Sequence, residues 1–258
     1  MPRFSANLSF LYPDLPFAER FGAAAADGFA AVEYVSPYDL PEAEVAALLR
    51  GNGLEQALFN MPAGNWAAGE RGIACHPDRI EEFRAGVGTA IRYATALGCT
   101  RVNCLAGIRP RALSDAVLDA VLVDNLAYAA PRFADAGVKL LLEPINSAID
   151  IPGFFVDDMR HAGRILDAVA SDNLFIQFDF YHVQVMQGDL VRSFAALQDR
   201  IGHVQIADHP GRYAPGTGEI NYAFVLAELD RLGYDGWVGC EYRPRGGTGA
   251  DLGWMGGT

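Results

Sequence analysis

Eight short apolar runs, each followed by a longer amphipathic stretch, set the tightest limit on what this chain can fold into. The strand-like runs lie near 3–8 (RFSANL), 30–35 (AVEYVS), 54–59 (LEQALF), 101–106 (RVNCLA), 138–143 (VKLLLE), 173–179 (NLFIQFD), 202–207 (GHVQIA) and 236–242 (GWVGCEY). Helix-like stretches occupy 16–27, 41–52, 78–97, 114–136, 156–170, 189–199 and 221–232. Gly28, Gly98, Gly137 and Gly233 close several of them, as glycine does at helix C-termini. Asp115, Asp157 and Asp189 lie near helix starts, where unpaired N–H groups favour a carboxylate. Eight such units in 258 residues predict an α/β fold, a (β/α)8 TIM barrel, as one domain over residues 1–258. An open doubly wound sheet would need a phosphate-binding turn, and Gly247, Gly249 and Gly253 have the wrong spacing for GxGxxG. The glycine-rich tail from Gly246 reads as loosely ordered, with Trp254 as its anchor.

Chemistry in such barrels gathers at the C-terminal ends of the strands. Here the fifth strand ends in Glu143, the sixth in Asp179, the seventh carries Gln205 and then Asp208, and the eighth carries Glu241. A carboxylate that ends a run such as Leu140, Leu141 and Leu142 is costly unless something uses it. Alternation along a strand means that an inward Glu241 sends Cys240 toward the helix layer, and that Gln205 shares a face with His203. Three carboxylates on one mouth repel, and a divalent cation relieves the repulsion. Carboxylate and amide oxygens suit Mg²⁺ or Mn²⁺ better than zinc. His182, three residues after Asp179 in "DFYH", is the histidine with a functional context; His161 reads as a solvated helix residue.

Composition removes other classes. Net charge is −12, which repels nucleic acid at long range. No apolar stretch is long enough for a membrane span, and no signal peptide is read at the N-terminus. Cys75, Cys99, Cys104 and Cys240 show no CxxC spacing, which points to reduced thiols and a cytoplasmic location. Lys139 is the only lysine. It lies four residues before Glu143, about 13 Å below the strand end at roughly 3.3 Å per residue, too low for a Schiff-base aldolase.

Long stretches of the chain resemble the hydroxypyruvate isomerase family, within the xylose-isomerase-like barrels that include the ketose 3-epimerases. They are "RFSANLSFLY" (3–12), "NMPAGNWAAGERGIAC" (60–75), "LEPINSAIDIPGF" (142–154), "QFDFYHVQVMQGDL" (177–190), "GHVQIADHPGRYAPGTGEINY" (202–222) and "GWVGCEYRPRGGT" (236–248). The resemblance implies Glu143 and Glu241 as the catalytic pair. It implies a metal site of Glu143, Asp179, Gln205 and Glu241, with His182 and Arg212 contacting substrate. The epimerases carry histidine at the position of Gln205, so this site is expected to be Mg²⁺-like and readily exchanging. The implied reaction interconverts hydroxypyruvate and tartronate semialdehyde through an enediolate, with no nucleotide cofactor. An isomerase of the four-carbon 2-oxo-tetronate, or a related sugar-acid isomerase or epimerase, is the alternative.

The expected partner is therefore a small hydroxy- or oxo-acid, with no nucleic acid and no membrane; homo-oligomerisation is left open. Holding the substrate carboxylate on an acidic protein calls for arginine, and Arg71, Arg109 and Arg212 lie in segments after the third, fourth and seventh strands. A metal-dependent nuclease would need more histidines and a basic surface. A non-enzymatic sugar-acid binder would not need two acids poised for proton transfer.

Overall fold

The computed structural model describes residues 2–256. Eight strands close into a barrel in chain order: β1 (Arg3–Asn7), β2 (Ala31–Tyr34), β3 (Glu55–Asn60), β4 (Arg101–Cys104), β5 (Lys139–Leu142), β6 (Leu174–Asp179), β7 (Ile201–Ile206) and β8 (Trp237–Cys240). Every neighbouring pair is parallel, and β8 returns to β1 through Phe4↔Val238 and Ala6↔Cys240. The helices are α1 (Phe17–Ala26), α2 (Glu42–Asn52), α3 (Ile80–Leu97), α4 (Asp115–Asp135), α5 (Met159–Val169), α6 (Phe180–Met186), α7 (Leu190–Leu197) and α8 (Tyr222–Arg231). The expected (β/α)8 barrel is therefore present.

Alternation along the strands sorts the side chains into two layers. On β5, Leu140 and Leu142 join the large core between sheet and helices, with Leu118, Leu122, Leu126 and Phe133 of α4. Cys240 of β8 lies in the same layer, as its parity relative to Glu241 requires. Leu141 has the opposite parity and packs where a side chain at Gly202 would collide with it. A small separate apolar cluster of Ala31, Ala57 and Trp237 includes the opening residues of β2 and β8. Lys139 opens β5 on the exposed side, its Nζ 4.6 Å from the Phe175 ring centre, at the opposite end of the strand from Glu143.

Above that cluster the barrel interior is polar. Glu33 of β2 is fully buried and accepts from Ser5 Oγ (2.8 Å), Asn7 Nδ2 (3.1 Å), His203 Nε2 (2.8 Å) and Gln205 Nε2 (2.7 Å). Burial alone would raise its pKa, but His203, Gln205 and Ser5 hold it below the ordinary carboxylate range. Gly239 makes room for this carboxylate, since a Cβ there would collide with both of its oxygens.

Four sequence expectations change. Residues 180–186 form a helix, because Asp179 caps it through Tyr181 N (2.8 Å). His161 is buried, not solvated: its Nε2 is 2.6 Å from Asp119 Oδ1 and its ring meets Phe155 edge-on. The cap of α5 is Asp158, which accepts from His161 N, while its neighbour Asp157 accepts from Ser147 Oγ. The tail is ordered as a 3-10 helix over Gly249–Gly256; Trp254 does anchor it, edge-on to Phe4 at 5.0 Å and donating to Tyr242 Oη. Among the described residues no helix is long and apolar enough to cross a membrane, and all four cysteines are buried and unpaired.

The Glu33 layer yields a stability prediction. Gly239→Ala overpacks a site with no apolar room, so it should destabilise the fold by about 1–3 kcal/mol. Urea denaturation checks this, and a variant as stable as wild type would show that Glu33 can move aside.

Candidate active site

Glu143 and Glu241 are each the first residue past a strand, β5 ending at Leu142 and β8 at Cys240. Pro144 has no N–H and so cannot extend the ladder. Glu241 stays tied to the sheet through its N–H, which donates to Ile206 O (3.1 Å). Asp179 closes β6 and opens α6, so one of its oxygens is spent on the helix cap and Oδ2 is left facing the mouth. Arg212 arrives from the loop after β7, on a left-handed backbone of φ 57°. Asp208 folds that loop by accepting from the N–H groups of His209, Gly216, Gly218 and Ile220.

These side chains meet. Arg212 Nη2 is 3.0 Å from Glu241 Oε2 and 3.5 Å from Asp179 Oδ2, and Nη1 is 3.5 Å from Asp150 Oδ1. The guanidinium carbon lies 4.7 Å from the Phe10 ring centre and 5.2 Å from that of Tyr181, within cation–π reach of both. His182 Nε2 is 3.5 Å from Asp179 Oδ2 and 3.8 Å from Glu143 Oε1. Asn103 Nδ2 donates to Glu143 Oε2 at 2.8 Å.

Four acids thus face one guanidinium, and three of them, Glu143, Asp179 and Glu241, gain proton affinity. Burial pushes Glu143 well above the usual carboxylate range, and the charges of Glu241 and Asp179 add to it. Burial pushes Glu241 up to about 8 against the pull of Arg212. Asp179 is raised to about 6 by burial, restrained by Arg212 and the Tyr181 N–H. Burial and the Arg212 charge hold His182 well below its ordinary value, so the ring is neutral. For Arg212 burial favours deprotonation, but Glu241, Asp179, Asp150 and Glu143 outweigh it and keep it charged.

The residues fit a divalent cation. Glu143, Asp179 and His182 each offer a ligand atom within 4.8 Å of the others. Glu241 Oε2, though close to Arg212, and Asn103 Oδ1 are buried without a hydrogen-bond partner. Hard carboxylate oxygens with spare lone pairs are the donors such an ion takes.

Five of the residues singled out in the sequence therefore come together: Glu143, Asp179, His182, Arg212 and Glu241. Gln205 stands beside Asp179 in register but is turned to the layer below, its Nε2 donating to Glu33 and its Oε1 accepting from Gln177 Nε2 at 2.6 Å. Arg109 is half-exposed and paired with Asp115, and Arg71 stacks on the exposed Trp66. Sequence reasoning missed Asn103, Asn146, Asp150 and Glu33. For Asn103 and Glu33 a signal existed: each is a polar residue inside an apolar strand, "RVNCLA" and "AVEYVS", on a buried face. Asn146 and Asp150 lie in a loop, where polarity is unremarkable.

An acid whose pKa is higher in the folded than in the unfolded state favours folding while protonated. For Glu241 that contribution is complete below 4.5 and disappears as pH rises through about 8. Chelator-treated protein should therefore lose stability across that window, and Glu241→Gln should flatten the loss. Urea denaturation at stepped pH measures it; identical slopes for wild type and variant would contradict the assigned shift.

A family model described as xylose isomerase-like TIM barrel matches residues 21–256. The chain is 51% identical to hydroxypyruvate isomerase of Escherichia coli, over 99% of this chain and 98% of that one. It is 48% identical to 2-oxo-tetronate isomerase of Cupriavidus necator, with the same two coverages. A crystal structure from Brucella melitensis named as an AP endonuclease, family 2, superposes with a TM-score of 0.97 at 42% identity, covering 100% of this chain and 99% of that one. Barrel, acid cluster and end-to-end likeness agree, and the chain belongs to the xylose isomerase-like TIM barrel family.

Proposed function

We propose that this protein interconverts hydroxypyruvate and tartronate semialdehyde by moving a proton between neighbouring carbons. The observation that carries the reading is the pair Glu143 and Glu241, buried past the ends of two strands and both raised in proton affinity. A carboxyl group whose proton affinity is raised above the ordinary carboxylate range can serve as base or acid. One glutamate takes the proton from the hydroxymethyl carbon of hydroxypyruvate. The resulting enediolate is planar, and the other glutamate returns a proton at the adjacent carbon while the hydroxyl proton passes between the two oxygens. A divalent metal, Mg²⁺ or Mn²⁺ by its oxygen donors, supplies Lewis-acid stabilisation of the enediolate charge when bound at Glu143, Asp179, Glu241 and Gln205. The inclusion of Gln205 requires its oxygen to leave Gln177 or to share a lone pair.

Arg212 is the positive charge of the site, and its planar guanidinium suits a two-pronged bond to the substrate carboxylate. His182, beside Asp179 and Glu143, takes the role of contacting a substrate oxygen in this reading. Neither step uses a nucleotide. The buried, unpaired cysteines accord with a reducing, cytoplasmic setting. A 2-oxo-tetronate substrate is the second reading, favoured by a nearly equal identity to that enzyme. A nuclease activity, such as the name of the Brucella structure suggests, is disfavoured because a net charge of −12 opposes a polyanion.

Proton NMR in D₂O with each acid separates the readings. Deuterium should enter hydroxypyruvate faster than the four-carbon acid, and the reverse order would transfer the function to 2-oxo-tetronate. Glu143→Gln and Glu241→Gln should each cut turnover by about 10²–10⁴ while remaining folded by circular dichroism. Near-wild-type turnover in either removes that residue from the mechanism. Arg212→Lys keeps the charge and loses the fork, so KM for the acid substrate should rise more than KM for an uncharged analogue such as its amide.

A further inference from the structure

His182 has two ring nitrogens, and which one carries the proton decides what the ring can do at this site. A nitrogen with a free lone pair can ligate a metal; a protonated one can only donate a hydrogen bond. The ring's surroundings resolve this through Asn146, a fully buried residue just past β5. Asn146 Oδ1 accepts two backbone N–H bonds, from Ile149 (3.0 Å) and Asp150 (2.9 Å). Its Nδ2 lies 2.6 Å from Asp150 Oδ2. A carboxylate can only accept, and a backbone N–H can only donate. All three contacts therefore require the same orientation of the amide, and the flipped one loses every one of them. The group 2.7 Å from His182 Nδ1 is consequently the Asn146 NH₂, a donor. Nδ1 must accept, so the ring proton sits on Nε2.

Nε2 is the nitrogen that faces the carboxylates, 3.5 Å from Asp179 Oδ2 and 3.8 Å from Glu143 Oε1. Arg212 Nη2 also directs a hydrogen at Nε2, but across a long 3.4 Å, and the 2.7 Å bond at Nδ1 outweighs it: with Nδ1 accepting, a neutral ring keeps its proton on Nε2 and Arg212 turns to Glu241 and Asp179. We propose that Asn146 is a positioning residue that locks His182 in the Nε2–H form, so that the ring donates a hydrogen bond to a substrate oxygen and is not a ligand of the metal. The assignment reduces the cluster of Glu143, Asp179 and His182 to its two carboxylates as ligands. It also places on one side chain the links between the end of β5, the start of α6 and, through Asp150, Arg212. A neutral imidazole N–H aimed where oxygen charge develops is a donor of the oxyanion-stabilising kind.

The proposal deepens the isomerase reading, but its test does not depend on turnover. Full-length protein labelled with ¹⁵N-histidine gives a long-range ¹H–¹⁵N spectrum, in which the His182 pair is identified by its loss in His182→Gln. Wild type should show an unprotonated Nδ1 and a protonated Nε2, unchanged by saturating Mg²⁺. In Asn146→Asp the new carboxylate accepts where the amide donated, so the ring proton should appear on Nδ1. Turnover should then fall by about 10²-fold with KM little changed, as for loss of one oxyanion donor. A proton on Nδ1 in wild type, protons on both nitrogens, or loss of the Nε2 proton on adding Mg²⁺ would each overturn the proposal. An unchanged tautomer in folded Asn146→Asp would do so too. Where that variant does not fold, the wild-type spectrum decides alone. An Nε2–H ring in a protein that isomerises neither acid would sink the function and leave the tautomer standing.

Discussion

Gathering four carboxylates, three of them buried, around a single guanidinium is the constraint that the upper half of this barrel is organised to meet. Removing one partner from a buried ion pair typically costs about 3–5 kcal/mol, because the charge left behind has neither water nor a counter-ion. Arg212 is within 3.5 Å of three acids, and Glu143 adds a fourth negative group nearby. One positive charge cannot neutralise them. Burial first, and the uncompensated neighbouring charges after it, raise the proton affinity of Glu143, Asp179 and Glu241, and Glu241 Oε2 has Arg212 at 3.0 Å as its counter-charge. A site in that condition takes up protons or a cation, and proton transfer and metal binding are both routes to relief.

Beneath it, the fully buried Glu33 has the opposite character. It is also a carboxylate, yet among its four donors His203, Gln205 and Ser5 hold it below its ordinary range. The two layers communicate. Glu33 fixes the amide of Gln205 and adds its charge to the forces raising Glu241. Gly239 is where the backbone yields to this layer, and the register sets Gly239 level with Gln205 and Asp179, two residues before Glu241. Depth in the barrel thus converts one residue type into a fixed charge below and a titrating acid above.

The barrel was legible because its signals are local: apolar runs of strand length, glycines after helices, and acids just where the runs stop. Glu143, Asp179 and Glu241 could be found in that way, since position at a strand end nearly determines position at the mouth. The helix over residues 180–186 was hidden by its shortness and by an aspartate read only as a ligand, although the same residue is its cap. Asn146 and Asp150 gave no signal, because what matters in them is which neighbours a loop brings within hydrogen-bond reach. Arg212 was found, but its contacts with Phe10 and Tyr181 and its three acidic partners depend on the loop that Asp208 folds. The burial of His161 likewise depends on a contact across α4 and α5.

The most direct test of the crowded-acid account is a proton count. Titration calorimetry of Mg²⁺ into metal-free protein, repeated in buffers of different ionisation enthalpy, measures the protons released on binding. At pH 7, below the value of about 8 to which Glu241 is pushed and with Glu143 raised well above its usual range, cation binding should expel protons from these groups. Release should shrink in Glu241→Gln. Binding with no proton release at that pH, or no binding at all, would contradict the claim that the mouth of this barrel is held short of positive charge.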